Sequence, residues 1–392
     1  MSPTVGVAPR LALYYVALFC VIGLQLPYWP LWLAARGLGP VEIAWLIAVP
    51  SLVRVFSTPL VGVWVDRRGD RRRPMLLLAG AAALAGLAFP AAFGFWPILV
   101  ATVLLFVPLY GLMPVGDSLA MTLVARHRLD YGRVRLWGSL SFIAVASLLG
   151  GLLAWRPPTD LPWIQAGLLL MVVASCVFLP DARVAGRESA APAPLGPLLR
   201  APLFGLFLAV AALSQAAHAV YYAFGTLHWR AAGVDDATIG LLWSEGVVAE
   251  ILLFAFSNRA VARFGPAGLL LLGGLGGVVR WLTLGLTADP LWLALVQGLH
   301  GATFGCSHLG AMHFLQRAVP PALAVRAQGI YAAVAVGLVP GLTTIAVGPL
   351  YQHWGGGAFL AMAALSAGAA LLGWPLVRRW RRAGAVPLMG KI

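Results

Sequence analysis

Apolar residues along this chain fall into runs of about twenty, separated by short stretches rich in arginine, glycine and proline. Runs of that length are long enough to cross a bilayer as a helix. Twelve spans are predicted, at roughly 11–33, 41–64, 75–93, 96–119, 135–155, 161–179, 203–227, 238–257, 267–287, 290–314, 327–350 and 357–377. One of them departs from the pattern. Thr238 to Ser257, TIGLLWSEGVVAEILLFAFS, carries two carboxylates, Glu245 and Glu250. An ionisable group at membrane depth is costly and faces the protein interior or a water-filled path. This helix is therefore expected to line a transport route, with one of its glutamates handling a proton.

Composition agrees with that reading. Of 392 residues, 61% are hydrophobic and 10% charged, which excludes a water-soluble domain of this size. A β-barrel would show alternating strands of about ten residues instead. The first apolar segment, Leu11 to Leu33, is too long for a cleaved signal peptide and lacks a small-residue cleavage site. Cys20, Cys176 and Cys306 lie inside apolar runs and read as small core residues, with no disulfide framework and no metal site implied.

The net charge of +14 could suggest nucleic acid, but the arginines are placed otherwise. With the N-terminus inside, 22 of the 27 basic residues fall on inside segments, three (Arg36, Arg156 and Arg230) fall outside, and Arg54 and Arg280 lie within spans. Basic residues concentrate on cytoplasmic loops. Both termini are expected in the cytoplasm, the charge facing anionic lipid, and no nucleic-acid partner.

Asp181 to Arg200, DARVAGRESAAPAPLGPLLR, interrupts the apolar pattern and reads as a cytoplasmic linker. The expected organisation is an N-terminal six-helix half (1–180), the linker (181–200) and a C-terminal six-helix half with a basic tail (201–392). A shift of 196 residues relates the halves: Gly37 falls on Gly233, Ile43 on Ile239, Arg67 on Arg263, Gly69 on Gly265, and Arg54 on Glu250. An internal repeat of six helices places a substrate site at the repeat interface near the midplane.

The loop after the second span reads Gly62-Val-Trp-Val-Asp66-Arg67-Arg68-Gly69-Asp70-Arg71-Arg72. It resembles the G-x-x-x-D-R-x-G-R-R loop of the major facilitator superfamily, with Asp70 where a basic residue is usual. The second copy, Asn258 to Gly265, keeps Arg259, Arg263 and Gly265 but has Ala262 in place of the acid. Asp130-Tyr-Gly-Arg-Val-Arg-Leu-Trp-Gly-Ser139, Gln215-Ala-Ala-His218-Ala-Val-Tyr-Tyr222, Leu242 to Glu250, Gly277-Val-Val-Arg280-Trp281 and the segment from Leu299-His300 to His308-Leu309 resemble the phenylpropionate-transporter group, within the sugar and nucleoside proton-symporter branch. The resemblance implies an all-α integral membrane protein, with twelve transmembrane helices in two pseudo-symmetric six-helix bundles. It also implies a rocker-switch importer driven by protons, in the inner membrane. An acid in span eight, an arginine in span nine and a histidine in span ten resemble that branch's layout.

The residues allow more than one reading. Glu250 lies about 12 residues into its span, roughly 18 Å along a helix and near mid-bilayer. It can carry a proton or form a structural ion pair with Arg280, itself mid-span. His300 can relay a proton, bond substrate or be a core histidine. His300, His308 and His313 are offset by 8 and 13 residues, rotations of about 80° and 220° on a regular helix, so they are not expected to converge on a metal. Arg54 suits a carboxylate, since its fork matches one bidentately; the alternative is a bridge to Asp117. Asp117 is expected to pair with Arg133 or Arg135. Tyr221 and Tyr222, next to His218, could stack on an aromatic substrate, whereas Tyr28, Trp29 and Trp243 are expected in the interfacial belt.

The expectation is a proton symporter importing a small organic solute, an aromatic acid such as phenylpropionate favoured. Glu250, Arg280, His300 and Glu245 would couple protons; Arg54, Tyr222, His218 and Tyr221 would bind substrate. Gly62, Asp66, Arg67, Gly69, Arg71, Asp117, Arg133 and Arg135 would form a cytoplasmic latch. An efflux proton antiporter, or a sugar or nucleoside symporter of the same fold, is the alternative. No enzyme activity, cofactor or metal is expected, and no Gly-rich nucleotide loop followed by Lys appears. A monomer in lipid is expected.

Overall fold

The computed structural model describes residues 6–180, 182 and 195–382, which are almost wholly helical. Twelve long helical segments, some of them interrupted, follow in order among the described residues. The first six are α1 (Val7–Ala35), α2 (Pro40–Arg68), α3 (Arg72–Gly86), α4 (Phe95–His127), α5 (Tyr131–Leu153) and α6 (Leu161–Phe178). Next come α7 (Pro202–Ala231), α8 (Asp236–Ala255) and α9 (Ser257–Leu286). The tenth helix, α10, is built from Pro290–Gln297, a π-helical stretch Gly301–Cys306 and Ser307–Ala318. The eleventh, α11, joins Ala324–Tyr331, a second π-helical stretch Ala332–Leu338 and Val339–Trp354. Helix α12 is Ala358–Arg382.

By length and composition alone, ten stretches among the described residues can cross a membrane. One of them, Pro321–Arg382, is 62 residues long and holds both α11 and α12. Helix α10 is not among the ten; a turn at Gly298 and Leu299 interrupts it. The twelve expected spans are consistent with this arrangement. Most of the expected linker, Asp181 and residues 183–194, lies outside the described residues.

Helix ends follow local chemistry. Glu42 returns to the backbone N–H of Gly39 at the start of α2, satisfying an orphan donor. Asp235 caps α8, accepting from the Thr238 hydroxyl at 2.6 Å and the Thr238 N–H at 2.9 Å. Those hydrogen bonds hold the Asp235 carboxyl below its ordinary value. The repeat found in the sequence reappears in the backbone. Gly37 and Gly233 both take positive φ, 80° and 89°, and Gly69 and Gly265 take 69° and 67°. Only glycine enters that region without strain.

The chain divides into two compact units, Met1–Glu188 with Asp235–Ser244, and Ser189–Val234 with Glu245–Ile392. In the first, α1 packs along α5 and α6, and its aromatic residues turn inward. Tyr28 is fully buried and donates to the Ala146 carbonyl, and Trp29 packs at a tilt on Trp32 and edge-to-face against Phe89. Tyr28, Trp29 and Trp243 are therefore interior residues, not members of the interfacial belt. Their rings fill space between helices, and Trp29 is 3% exposed. In the second unit, α9 approaches α12 through glycines. A methyl group on Gly274 would lie 2.8 Å from the Ala370 nitrogen. Such small-residue contacts substitute close packing for a hydrophobic driving force that lipid does not supply. Phe207 of α7 stacks on Phe314 of α10 at 4.3 Å and 7°.

Candidate functional site

The second unit encloses a polar cluster built from α7, α8, α9 and α10. At its centre is Arg280 of α9, with no exposed surface. Its guanidinium lies between the rings of Tyr221 and Trp281, 4.7 and 4.6 Å from their centroids. Nη1 donates to His300 Nδ1 at 2.8 Å and to Thr303 Oγ1 at 3.0 Å; Nη2 donates to Gln297 Oε1 at 2.8 Å. Gln297 in turn donates to the Tyr221 hydroxyl at 3.0 Å. On its other edge, His300 Nε2 lies 2.8 Å from Glu250 Oε1 of α8.

The cluster thus runs from a fully buried cation, through an imidazole, to a carboxylate. Buried charges persist only when paired and hydrogen-bonded, and here a single imidazole links the two. The geometry permits a proton to be held on the carboxylate or passed along its hydrogen bond with the ring. Around the cluster, His218 is 1% exposed, with Nδ1 3.0 Å from the Ser214 carbonyl and Nε2 3.3 Å from Thr303 Oγ1. Tyr222 stacks on His218 at 5.5 Å and is half-buried.

Of the four residues expected to couple protons, Glu250, His300 and Arg280 are brought together. Glu245 is half-buried and makes no ion pair among the described residues. Of those expected to meet substrate, Tyr221 and His218 are enclosed and support Arg280 and Thr303, whereas Tyr222 is half-buried. Two members were missed in the sequence: Gln297 and Thr303. The signal was present, since Gln297, His300 and Thr303 recur every third residue in an otherwise apolar span.

The π-helical stretch changes the histidine geometry. Its turns hold about 4.4 residues where an α-helix holds 3.6, so each residue advances less around the axis. His300, Phe304 and His308 consequently stack on one face, with ring planes 7° and 3° apart.

In the first unit, Arg54 of α2 is half-buried and lies over the ring of Tyr110, 5.4 Å from its centroid. It meets no carboxylate among the described residues. Asp117 pairs with neither Arg133 nor Arg135. It accepts from the hydroxyls of Tyr15 at 2.6 Å and Tyr131 at 3.0 Å. Arg133 turns back to Asp130, 3.6 Å away, within its own first helical turn. The Arg135 guanidinium stacks on Phe19 at 3.9 Å. Tyrosine hydroxyls reach Asp117 where it sits, so the arginines are left to the helix end and to aromatic faces.

In the loop, Arg71 is buried, bonds Asp66 at 2.7 Å and donates to the Val65 carbonyl. Gly69 supplies the left-handed turn beside it, and Gly62 lies one turn before Asp66 on α2. Arg67 is exposed. Asp70, the departure from the usual pattern, accepts from the Arg72 N–H at 2.9 Å and so satisfies a backbone donor at the start of α3.

The MFS_1 like family model matches residues 9–361. The chain belongs to that family, within the major facilitator superfamily. It is 35% identical, over 90% of its length and 93% of the relative's, to the "Probable 3-phenylpropionic acid transporter" of Escherichia coli strain K12. It is 29% identical to the maltose permease of Geobacillus stearothermophilus, over 87% of each chain. The fold matches a crystal structure of a mutant of the nucleoside transporter NupG with a TM-score of 0.85, at 16% identity, covering 94% of this chain and 99% of that one. It also matches a bacterial homologue of the lysosomal transporter Spinster, with a TM-score of 0.69 at 14% identity, over 97% and 98%. The chain is a membrane transporter of this superfamily, not an enzyme.

Proposed function

We propose that the chain imports a small aromatic carboxylate together with a proton, by alternating access across the inner membrane with both termini in the cytoplasm. The observation that carries this reading is the Glu250–His300–Arg280 chain, with Nε2 and Oε1 2.8 Å apart in the interior of the second unit. A carboxylate in that setting can gain and lose a proton within one structure. Arg54, half-buried and free of any carboxylate among the described residues, supplies the anchor for a substrate anion. Tyr222 offers a ring face or edge to an aromatic group. The Asp66–Arg71 pair with Gly62, Arg67 and Gly69 forms the cytoplasmic latch. The name of the 35% identical relative supports an aromatic acid as the substrate.

Linkage sets the requirement: protonating Glu250 must raise affinity for substrate, and bound substrate must raise affinity for the proton by the same factor. The test is uptake of labelled 3-phenylpropionate into proteoliposomes with and without an imposed proton gradient. Accumulation that requires the gradient supports the reading. Outward movement under the same gradient would instead identify an efflux antiporter. A sugar symporter is the second reading, favoured by the 29% identity to maltose permease; gradient-driven accumulation of maltose with none of 3-phenylpropionate would establish it.

A further inference from the structure

We infer that Arg280 fixes the tautomer of one buried histidine, His300, that the Ser214 carbonyl fixes that of the other, His218, and that Thr303 bridges the two rings. His300 carries its one hydrogen on Nε2, His218 carries its own on Nδ1, and the coupling proton is taken up by the Glu250 carboxylate, not by an imidazole. The last clause rests on the proton-coupled reading; the tautomers rest on the geometry alone.

The argument starts at Arg280, whose guanidinium can only donate. Nη1 carries two hydrogens and meets two acceptors, His300 Nδ1 at 2.8 Å and Thr303 Oγ1 at 3.0 Å. His300 Nδ1 must therefore present a lone pair. The hydrogen of the neutral ring is on Nε2, directed at Glu250 Oε1 2.8 Å away. An imidazolium at this position would set one N–H against another, beside a like charge.

Thr303 carries the same logic to the second ring. Its oxygen accepts from Arg280, so its single hydrogen goes outward. The His218 ring lies with Nδ1 3.0 Å from the Ser214 carbonyl, which can only accept. That nitrogen bears the hydrogen, Nε2 is a lone pair, and the Thr303 hydroxyl donates to it at 3.3 Å. The carbonyl of His300, at 3.5 Å, is the longer option for that hydrogen. Two imidazoles 5.9 Å apart thus hold opposite tautomers, one set by the Arg280 guanidinium and the other by the Ser214 carbonyl, with the Thr303 hydroxyl bridging them.

The functional consequence concerns where a proton can go. Glu250 can be protonated on one oxygen and still accept from His300 on the other. Protonating His300 requires Arg280 to leave Nδ1 and sets two positive charges side by side in the interior, with Gln297 and Thr303 left to accept from the guanidinium. Thr303 is accordingly a positioning residue: it occupies the second hydrogen of Nη1 and keeps the guanidinium aimed at His300.

The test uses the full chain in lipid nanodiscs with nitrogen-labelled histidine. Ring nitrogen shifts are read near neutral pH, and His300→Gln and His218→Gln assign the signals. The expected result is Nε2–H for His300 and Nδ1–H for His218, retained in Thr303→Ser. Thr303→Val should leave His218 as Nδ1–H, since the Ser214 carbonyl still requires it, and should shift the Nε2 signal as that nitrogen loses its donor. A wild-type His300 found as Nδ1–H or as imidazolium overturns the assignment. In proteoliposomes, Thr303→Val should lower gradient-driven accumulation of 3-phenylpropionate about tenfold, the loss of one charged hydrogen bond. Thr303→Ser should restore accumulation. Wild-type accumulation in Thr303→Val would remove Thr303 from coupling. A wild type that accumulates none of it would strike the proton-coupled import of 3-phenylpropionate and leave the tautomers to be decided by the nitrogen shifts.

Discussion

Gly150 of α5 and Gly240 of α8 lie so close that a methyl group on Gly150 would sit 3.1 Å from the Gly240 Cα and 2.4 Å from the Asp236 carbonyl. A methyl on Gly240 would reach within 2.5 Å of the Ala146 carbonyl. One turn on, Ser147 and Ser244 share a hydrogen bond at 2.8 Å, and Ser244 also bonds the Ile143 carbonyl. The first two turns of α8 are therefore seated on α5 by the absence of side chains.

Backbone cannot yield as a side-chain tip can, so Gly240→Val should push this part of α8 off α5. The measurement is cross-linking of a Ser147→Cys, Ser244→Cys pair. Disulfide should form readily when Gly240 is present and fall to a minor fraction with valine. An undiminished yield would show that the contact tolerates bulk.

Glu250→Gln keeps an oxygen for His300 Nε2 but cannot release a proton. Gradient-driven accumulation should be abolished, and exchange of substrate across the membrane should persist. If Glu250→Gln accumulates substrate like wild type, the proton is carried elsewhere, and Glu245→Gln becomes the next variant to measure.

Arg54→Ala should raise the KM for an aromatic carboxylate by about tenfold to a hundredfold, since a hydrogen bond to a charged group contributes about 1.5–3 kcal/mol. Arg54→Lys should recover only part of that, because an ammonium cannot reproduce the two-pronged contact. The comparison of uptake for the acid and for its neutral amide separates anchoring from folding. Equal losses for both would assign Arg54 a structural role.

Much of this arrangement was readable in the sequence. Apolar run lengths give the helices, because lipid leaves the backbone few other ways to satisfy its hydrogen bonds. Mid-span charges mark the site, because burying Glu250 and Arg280 is too costly without a partner. Less visible was how the partners connect. Glu250 and Arg280 could be seen as a pair, but the imidazole between them depends on the turn that carries His300. The π-helical stretch that follows changes the advance per residue beyond His300, and nothing in GATFGC announces it. Asp117 was misjudged because the nearby arginines are conspicuous in sequence, whereas Tyr15, distant in sequence, arrives only through the packing of α1. Tyr28 and Trp29 sit near a helix end, where belt residues are common, yet the helix is surrounded there.

The Asp117 contacts lead to a last prediction. Tyr15 and Tyr131 both donate to one carboxylate oxygen, at 2.6 and 3.0 Å. The Arg135 guanidinium lies over Tyr15 and Phe19 and adds charge nearby without touching the acid. Removing one hydroxyl with Tyr131→Phe should destabilise the protein by about 1–3 kcal/mol, as one donor to a charged acceptor is lost. Asp117→Asn should cost less, because an amide oxygen still accepts both hydroxyls. In Asp117→Asn, the further loss on Tyr131→Phe should shrink, since the remaining bond no longer involves a charge. A double-mutant cycle on thermal unfolding in detergent measures that difference. A coupling near zero would mean that the tyrosines hold α1, α4 and α5 together by packing alone, and Asp117 would have to be explained by its charge instead.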